Sequence, residues 1–287
     1  MLAPAPGKVY IDGTLGAGGH AERLCQFGAR VIAFDRDVAA LDRAERRLRP
    51  MYDIRFVHAD YRYFADALDM LDIAQVDGVL LDLGLSSDQL ADEERGFSFD
   101  SNGKLDMRFD VSEGSSAKEL LQSLPEEKIA DMIFQYGEER YSRKIAKRIA
   151  EYRRKIWEAQ EEPFTSAREL AELVRQCIPR STKSRLAKGR KIHIDPATRT
   201  FQALRIAVND ELGALQSTLD QLPSRLKPGG VAAVISFHSL EDRIVKTAFR
   251  NKQYWENLTS KPITATEEEI IRNPRARSAK LRGAVNL

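Results

Sequence analysis

Residues 9–20 read VYIDGTLGAGGH, a short apolar strand that runs into a glycine-rich turn and then opens a helix. Glycines in such a turn let the backbone approach a bound nucleotide, and the N-terminus of the next helix lies directly behind them. A second apolar run, at residues 30–34, ends in Asp35, and an acid there can accept hydrogen bonds from ribose hydroxyls. These residues predict half of a nucleoside-binding α/β sheet.

The glycine pattern is compatible with two kinds of nucleotide. Gly16, Gly18 and Ala21 match the dinucleotide fingerprint G-x-G-x-x-G/A with Asp35 downstream, so a nicotinamide-dependent oxidoreductase is one interpretation. Asp12 favours the other interpretation, because an acid there would face a pyrophosphate anion across a dry site. The amine of S-adenosylmethionine (SAM) is cationic and would instead be attracted by it. The pattern therefore favours SAM.

The alternation of strands and helices continues beyond this motif. A helix is predicted over 38–48, a third strand before Tyr61 and a fourth strand before Asp82. Such alternation is typical of a mostly parallel α/β sheet with helices on both faces, whose ligands bind beyond the carboxyl ends of the strands. We therefore expect Gly18, Asp35, Tyr61 and Asp82 to converge on one crevice. Tyr61 would contact the adenine there or only pack at the rim.

Strand signals stop after the fourth strand and return only near the C-terminus. Between them, two S-x-x-E capping boxes, at Ser116 and Ser166, predict helices. One long helix is then predicted from Thr198 to Leu219, followed by a buried strand over 231–236. We therefore predict a discontinuous SAM-binding domain of residues 1–90 and 195–287. An all-helical substrate domain, residues 91–194, is inserted into it, and residues 181–190 are predicted to be a loop.

Basic residues are concentrated in two blocks of this insert. Residues 140–155 contain eight cations and one acid, and residues 175–191 contain seven cations and no acid. Helical spacing predicts a one-sided stripe in the first block, and the second adds further cations. The candidate nucleic-acid contacts are Arg140, Arg143, Lys144, Lys147, Arg148, Lys188, Arg190 and Lys191. Two such blocks in one domain favour a polyanion over a merely solvated surface.

Composition sets further bounds. The chain has 287 residues, 43% of them hydrophobic, and a formal net charge of only +2, so bulk charge does not point to nucleic acid. Its two cysteines lie far apart, and no cluster has metal-ligand spacing, so we predict neither a disulfide scaffold nor a catalytic metal. No membrane span or signal peptide is visible, and the expected location is the cytoplasm.

Motifs along nearly the whole chain carry a family resemblance. They are YIDGTLGAGGH (10–20), DGVLLDLGLSSDQL (77–90), ERGFSF (94–99), LDMR (105–108), YGEER (136–140), PATRTFQALR (196–205), ISFHSLEDRIVK (235–246) and NPRAR (273–277). The chain resembles the bacterial small-subunit ribosomal RNA cytosine-N4 methyltransferases of the MraW type. The resemblance implies SAM as methyl donor and a cytidine of the ribosomal decoding centre as acceptor. It also implies a Rossmann-like methyltransferase fold with an inserted helical domain.

The resemblance also assigns the cofactor contacts by position. They fall on Gly18, Gly19, His20, Asp35, Tyr61, Asp82 and Gln89, to which the residue pattern adds Asp12 and Gly16. The assignments of His20 and Gln89 depend mainly on the resemblance, since a histidine at a helix start is commonly a local cap.

The catalytic group is predicted in the loop after the fourth strand. Many amino-methylating enzymes have an [Asp/Asn/Ser]-Pro-Pro-aromatic motif there, whereas this chain has DLGLSS from Asp82 to Ser87. We predict that Asp82, Ser86 and Ser87 accept the hydrogens of the target amine, the alternative being that both serines only cap the following turn. Arg108 and His238 are candidate RNA contacts, with a local Asp106–Arg108 pair and a local histidine cap as alternatives.

Partners and competing functions follow from the same residues. The predicted partner is small-subunit ribosomal RNA, free or in an assembled subunit, and the oligomeric state is left open, a homodimer included. Family members begin with a histidine- and proline-containing segment that this chain, which starts MLAPAPG, lacks. We therefore keep a second function, a non-catalytic RNA-binding ribosome assembly factor with a methyltransferase fold.

Overall fold

The protein is described by a computed structural model that covers residues 1–179, 184–187, 190–193 and 195–287. The chain forms two compact units, the first made of Met1–Ser86 with Leu212–Leu287 and the second of Ser87–Glu211. The strands are β1 (Val9–Asp12), β2 (Arg30–Asp35), β3 (Ile54–His58), β4 (Val76–Asp82), β5 (Ser184–Ala187), β6 (Arg190–His193), β7 (Leu226–Ser236), β8 (Trp255–Asn257), β9 (Ile263–Thr264) and β10 (Lys280–Asn286). The helices are α1 (Gly19–Gln26), α2 (Val38–Leu48), α3 (Phe64–Met70), α4 (Ser87–Ala91), α5 (Ala117–Ser123), α6 (Glu126–Gly137), α7 (Ser142–Glu158), α8 (Ala167–Cys177), α9 (Thr198–Asn209), α10 (Glu211–Arg225), α11 (Ser239–Ala248) and α12 (Glu267–Arg272).

The first unit is built on a mostly parallel sheet. The strand order is β3-β2-β1-β4-β7-β10-β8, with β9 also paired to β10. Every pair from β3 to β7 is parallel, and β10 runs antiparallel to its neighbours. Asp12 lies opposite Leu80, and Asp82 lies opposite Ile235. The carboxyl ends of the central strands therefore meet at one edge, as the sequence predicts.

Side-chain alternation along the strands builds a core on each face of this sheet. Ile11, Ile32 and Phe34 pack in one cluster with buried residues of α3, α10 and α11. Their neighbours Tyr10 and Val31 point the other way, into a second cluster with residues of α1 and α2. Strand side chains alternate between faces, so each strand contributes to both cores and is apolar almost throughout. The predicted α/β architecture with helices on both faces is confirmed.

The second unit is mainly helical. The predicted capping box is present at α5, where the Ser116 hydroxyl accepts from the Glu119 N–H and the Glu119 carboxylate accepts from the Ser116 N–H. Helix α6 packs against α7 and α9. Gly137 lies at the α6–α9 contact, where an added Cβ would come within 2.5 Å of the Arg199 carbonyl oxygen. Because α9 packs here, this unit extends to Glu211, beyond the predicted end at residue 194, and it begins at Ser87 rather than residue 91.

Two predicted elements differ from the structure. The insert is not all-helical, because β5 and β6 form an antiparallel hairpin where a loop was predicted. Their sequences, SRLA and RKIH, lack the apolar alternation by which a strand is recognised. The long helix is divided into α9 and α10 at Asp210, whose φ is 48°. The side chain of the preceding residue, Asn209, is buried at this break. Its amide nitrogen donates to the Met107 carbonyl, and its amide oxygen accepts from the Phe109 N–H.

The length and apolar character of the helices bear on membrane insertion. Across the described part of the chain, none is both long enough and apolar enough to cross a membrane.

Candidate functional site

The glycine-rich turn is held against the ends of two neighbouring strands. The Gly13 N–H donates to the Leu80 carbonyl and the Leu15 N–H to the Phe34 carbonyl, each at 2.9 Å. Gly18 has φ +81°, and a Cβ there would come within 2.7 Å of the Leu48 Cδ1 atom. The turn therefore needs glycine at residue 18 both for its backbone angle and for its packing on α2.

Asp12 is a buried acid whose two carboxylate oxygens differ in their hydrogen bonding. Its side chain is fully buried, and Oδ1 accepts from the Thr14 N–H at 3.2 Å. Within the residues that the structure describes, Oδ2 has no hydrogen-bond partner. Burial raises the pKa of Asp12 to about 6, and the nearby Asp82 and Asp35 carboxylates act in the same direction while His20 opposes them. Such an acid is poised to receive a cationic group.

Asp35 closes the turn from the end of β2. Its Oδ2 accepts from the Gly16 N–H at 2.7 Å, and its Oδ1 accepts from the Asp37 N–H at 2.9 Å. Burial raises the pKa of Asp35, although both hydrogen bonds favour the charged form. Each carboxylate oxygen can accept a second hydrogen bond, so the group can still receive ribose hydroxyls. Asp37, which caps α2, is a supporting residue that the sequence analysis did not single out.

Asp82, at the end of β4, pairs with His20 at the start of α1. The His20 Nε2 and Asp82 Oδ2 atoms lie 3.1 Å apart, and this contact is the main reason that the pKa of His20 is raised. The Asp82 Oδ1 atom has no hydrogen-bond partner in the described part of the chain. Thr14 was missed by the sequence analysis, yet its hydroxyl accepts from the Asp82 N–H at 2.7 Å and ties the turn to β4.

The predicted cofactor residues of the first unit thus come together at one edge of the sheet. A Cβ on Gly13 would lie 3.1 Å from the Tyr61 Cβ, and a Cβ on Gly16 would lie 3.7 Å from the Ser86 Cβ. Tyr61 itself is half-buried against the core. Ser87 and Gln89 belong to the second unit, in α4, where the Gln89 side chain is buried. The catalytic role of Ser87 and the cofactor contact of Gln89 remain predictions.

These residues fit SAM. Its ammonium group would pair with the orphaned oxygen of Asp12, and its ribose hydroxyls would add to the acceptors of Asp35. The glycine turn leaves space for the remainder, since a Cβ on Gly19 would meet no atom within 4 Å. A pyrophosphate would not fit as well, because Asp12, Asp35 and Asp82 already place three acids at this edge.

Two candidate RNA contacts, Arg108 and His238, have local partners. The Arg108 guanidinium donates from Nε and Nη2 to the Asp106 carboxylate at 2.9 and 2.8 Å, and from Nη1 to the Gly114 carbonyl. This pair lowers the pKa of Asp106 and orders a loop in which buried Met107 has φ 65°. The structure therefore shows the local pairing, which the sequence analysis had weighed as the alternative for Arg108.

His238 also has the local role. Its Nδ1 atom accepts from the Glu241 N–H at 3.4 Å and caps α11, and its Nε2 atom lies 3.1 Å from the Glu241 Oε1 atom. The side chain is only 9% exposed. The imidazole is thus nearly buried and caps its own helix through Nδ1, which is the local role weighed as the alternative, and a contact of His238 with RNA stays a prediction.

Helix α7 carries most of the predicted basic stripe. Arg143, Lys144, Lys147 and Arg148 are exposed, and among the described residues only the last two approach an acid, Glu151, at 4.0 and 3.9 Å. Arg140 precedes the helix, which begins at Ser142, and its guanidinium lies over the Tyr141 ring, so it is not part of the stripe.

The second basic block is described only in part. Lys188 lies outside the described residues. Arg190 and Lys191 lie in β6, of which the structure describes the backbone alone. The predicted RNA contacts of these three residues therefore stay predictions.

Comparison with known proteins identifies the family of the chain. Residues 1–286 match the model of the MraW methylase family. The chain is 50% identical over 286 residues to ribosomal RNA small subunit methyltransferase H of Rhodopirellula baltica, covering 96% of this chain and 84% of that one. It is 48% identical over 286 residues to the protein of the same name from Sorangium cellulosum, covering 99% and 86%.

Among solved structures, an rRNA methylase from Streptococcus thermophilus aligns over 99% of this chain and 89% of its own, with a TM-score of 0.45 and 9% identity. That distant likeness adds nothing to the sequence match. The match to a methylase family excludes the oxidoreductase interpretation, which the three acids at the sheet edge also disfavour. From its match over residues 1–286, the chain belongs to the MraW methylase family, whose methyl donor is SAM.

Proposed function

We propose that this methyltransferase acts on small-subunit ribosomal RNA, methylating the exocyclic N4 of a cytidine in the decoding centre. The observation that carries the substrate class is 47–50% identity over nearly the whole chain to proteins named small-subunit rRNA methyltransferases. The cytosine amine as acceptor comes from the motif resemblance and from the acid at the end of β4. The cytoplasm, where small subunits are assembled, is the proposed location.

The chemistry explains why acids lie at this edge. When bound, SAM supplies an electrophilic methyl group on a sulfonium. The amino nitrogen of cytosine is conjugated with its ring, so the protein must orient it in line and stabilise the positive charge that develops on it. Asp82 offers an oxygen without a partner among the described residues, and His20 fixes the orientation of this carboxylate through its other oxygen. We assign Asp82 the role of accepting an amine hydrogen.

The target base must also leave its stack to enter a pocket. Ser86 and Ser87 follow Asp82 closely in the chain, and their hydroxyls can accept the second amine hydrogen or hold the base. Replacing both by alanine is expected to lower the single-turnover rate roughly tenfold or more at saturating SAM, as expected for losing one positioned group. A rate within twofold of the parent would remove this role and leave the serines as turn caps. The SAM affinity of the variant, measured in parallel, separates positioning of the base from damage to the pocket.

The exposed cations of α7 are the proposed contact with the RNA backbone. Four cations on one exposed helix face have only one acid nearby among the described residues. Such a face attracts phosphates and releases counterions when they bind.

The affinity for RNA should accordingly fall steeply with salt. Replacing Lys144 and Lys147 by glutamine is expected to weaken binding and reduce the slope of log Kobs against log[salt] by about 1 to 2. The matched control replaces Arg46 and Arg49 by glutamine; both are exposed, in the last turn of α2 and directly after it. Filter binding at several salt concentrations measures both variants, and a flat response of the parent protein would reject a phosphate-dominated interface.

The proposed function is tested by incubating the protein with labelled SAM and small ribosomal subunits that lack their native modifications. A parallel reaction uses the protein-free RNA. Nuclease digestion and mass spectrometry then locate the label. Label on N4-methylcytidine from the decoding region supports the proposal, and the better of the two substrates identifies the natural one. SAM binding with no transfer to either substrate would contradict it and favour the assembly-factor alternative.

A further inference from the structure

Residues 272–282 carry a charge that the SAM site does not explain. This stretch, RNPRARSAKLR, contains five cations and no acid. It includes the NPRAR motif, for which neither the donor pocket nor the α7 surface supplies a use. It lies entirely in the first unit and runs from the last residue of α12 into the start of β10.

Two of the five cations have a structural role. The Asp242 carboxylate in α11 accepts from Arg282 Nε at 2.7 Å and from Lys280 Nζ at 3.2 Å. These two cations hold the pKa of Asp242 below its usual value although the group is partly buried. The Arg282 side chain is only 9% exposed. Lys280 and Arg282 therefore tie α11 to β10 and are not available to a partner.

The other three, Arg272, Arg275 and Arg277, are exposed. The backbone that bears the last two is anchored as a 3₁₀ segment, Pro274–Ser278, where the Asn273 side chain accepts from the Arg275 N–H at 3.2 Å. Ala276, between the two arginines, is buried. Among the described residues, Arg272 and Arg277 form no ion pair. The segment thus presents arginines outward from a fixed backbone, which reduces the entropy lost on binding.

The position of this segment links it to the methyl-donor site. Lys280 follows the 3₁₀ segment Pro274–Ser278 by two residues and lies opposite Ser236 of β7. The neighbouring residue of β7, Ile235, lies opposite Asp82. The segment therefore arrives at the same edge of the sheet as Asp82 and Asp12. The acids at the start of α11 are already engaged, since the Glu241 carboxylate accepts from the Phe237 and His238 N–H groups. The acids of α12 are three glutamates in the first turn of that helix, whereas Arg272 is its last residue.

We infer that Arg272, Arg275 and Arg277 bind the phosphate backbone of the RNA beside the nucleotide that is methylated. This inference deepens the proposed function and rests on it. Guanidinium groups bind phosphate oxygens through two parallel hydrogen bonds, which positions a strand as well as attracting it. A contact at the catalytic edge would hold the flanking nucleotides while the target base is turned out of its stack. The α7 cations, in the other unit, supply a separate contact.

The test replaces the three arginines by glutamine in the full chain. The matched control replaces Arg46, Arg49 and Arg55 by glutamine, which removes the same charge from exposed positions near the start of β3 and the end of α2, at the opposite edge of the sheet. Binding of an unmodified transcript of the decoding region is measured by fluorescence anisotropy over a salt series. S-adenosylhomocysteine is present to prevent turnover, and methyl transfer and SAM affinity are measured separately.

The Arg272/Arg275/Arg277 variant is expected to bind the transcript at least roughly tenfold more weakly, with a salt slope reduced by about 2. Its methyl transfer at subsaturating RNA should fall in parallel, while SAM affinity stays that of the parent. The control should stay within about threefold of the parent in RNA affinity. If the two variants bind the transcript equally well and the parent protein still transfers methyl groups, this inference is overturned but the proposed function is not. A parent protein that methylates no RNA overturns the proposed function instead.

Discussion

Asp12→Asn is expected to stabilise the protein without SAM at neutral pH and at the same time to weaken SAM binding. The pKa of Asp12 is raised from 3.8 to about 6 by burial, so the folded state holds this proton more tightly than the unfolded state. Stability contributed by the protonated acid is therefore present below pH 4 and is lost as the pH rises through 6. Because each pKa unit corresponds to about 1.36 kcal/mol, the ionised acid costs roughly 3 kcal/mol at neutral pH.

Asparagine removes that cost but also removes the charge that receives the SAM ammonium. We expect the melting temperature of the SAM-free protein to rise by several degrees at pH 8, and the Kd for SAM to rise roughly 100-fold, as for one lost buried ion pair. Affinity of the parent protein should also decline below pH 6, where Asp12 becomes protonated, whereas the variant should lose this dependence. His20, Asp35 and Asp82 face the same group and are unchanged in both proteins.

Calorimetric titration and thermal melting between pH 5 and 8 measure both effects. Asp42→Asn, on the exposed surface of α2, is the control for loss of one acid. An unchanged SAM affinity in Asp12→Asn would contradict the assignment of the ammonium site, whatever happens to stability.

The second large effect is expected at Asp82. Asp82→Asn retains the size of the side chain but removes the negative charge near the reacting amine. We expect the single-turnover rate of methyl transfer at saturating SAM to fall roughly 100- to 1,000-fold, as when a preorganised electrostatic group is lost. The Kd for SAM should change less than the rate.

The matched control is Asp77→Asn at the other end of β4, where the carboxylate pairs with Lys227 at 2.9 Å. The two variants carry the same substitution in the same strand, so a general loss of packing would lower both rates. Rapid-quench kinetics with both proteins decide between these cases. A rate for Asp82→Asn equal to that of Asp77→Asn would show that Asp82 takes no part in the reaction.

The residues that could be predicted from sequence are those whose role is set by strand ends. Apolar strands buried on both faces are easily recognised, and the parallel order brings Asp12, Asp35 and Asp82 to one edge without further information. The hydrogen bonds inside that edge were not predictable. The hydroxyl of Thr14, in the glycine-rich turn, accepts from the backbone N–H of Asp82, at the end of β4, and no pattern in the sequence indicates that bond.

The failures have a common physical origin in contacts between residues distant in sequence. The break at Asp210 follows from the Asn209 amide bonding to residues 107 and 109, about which helical periodicity carries no information. The boundary of the second unit likewise depends on α9 packing against α6. Arg108 and His238 show a related limit, because a basic residue in a motif looks the same whether it binds RNA or closes its own turn.

The order of strands in the sheet has a consequence for synthesis of the chain. β4 pairs on one side with β1 and on the other with β7, which begins only at Leu226. At about 5–20 residues per second, the ribosome needs roughly 7 to 30 s to make the intervening chain. During that interval the apolar edge of β4 is unpaired and open to association with other strands. The second unit, made in the same interval, can fold on its own contacts, so completion of the sheet waits for the last quarter of the polypeptide.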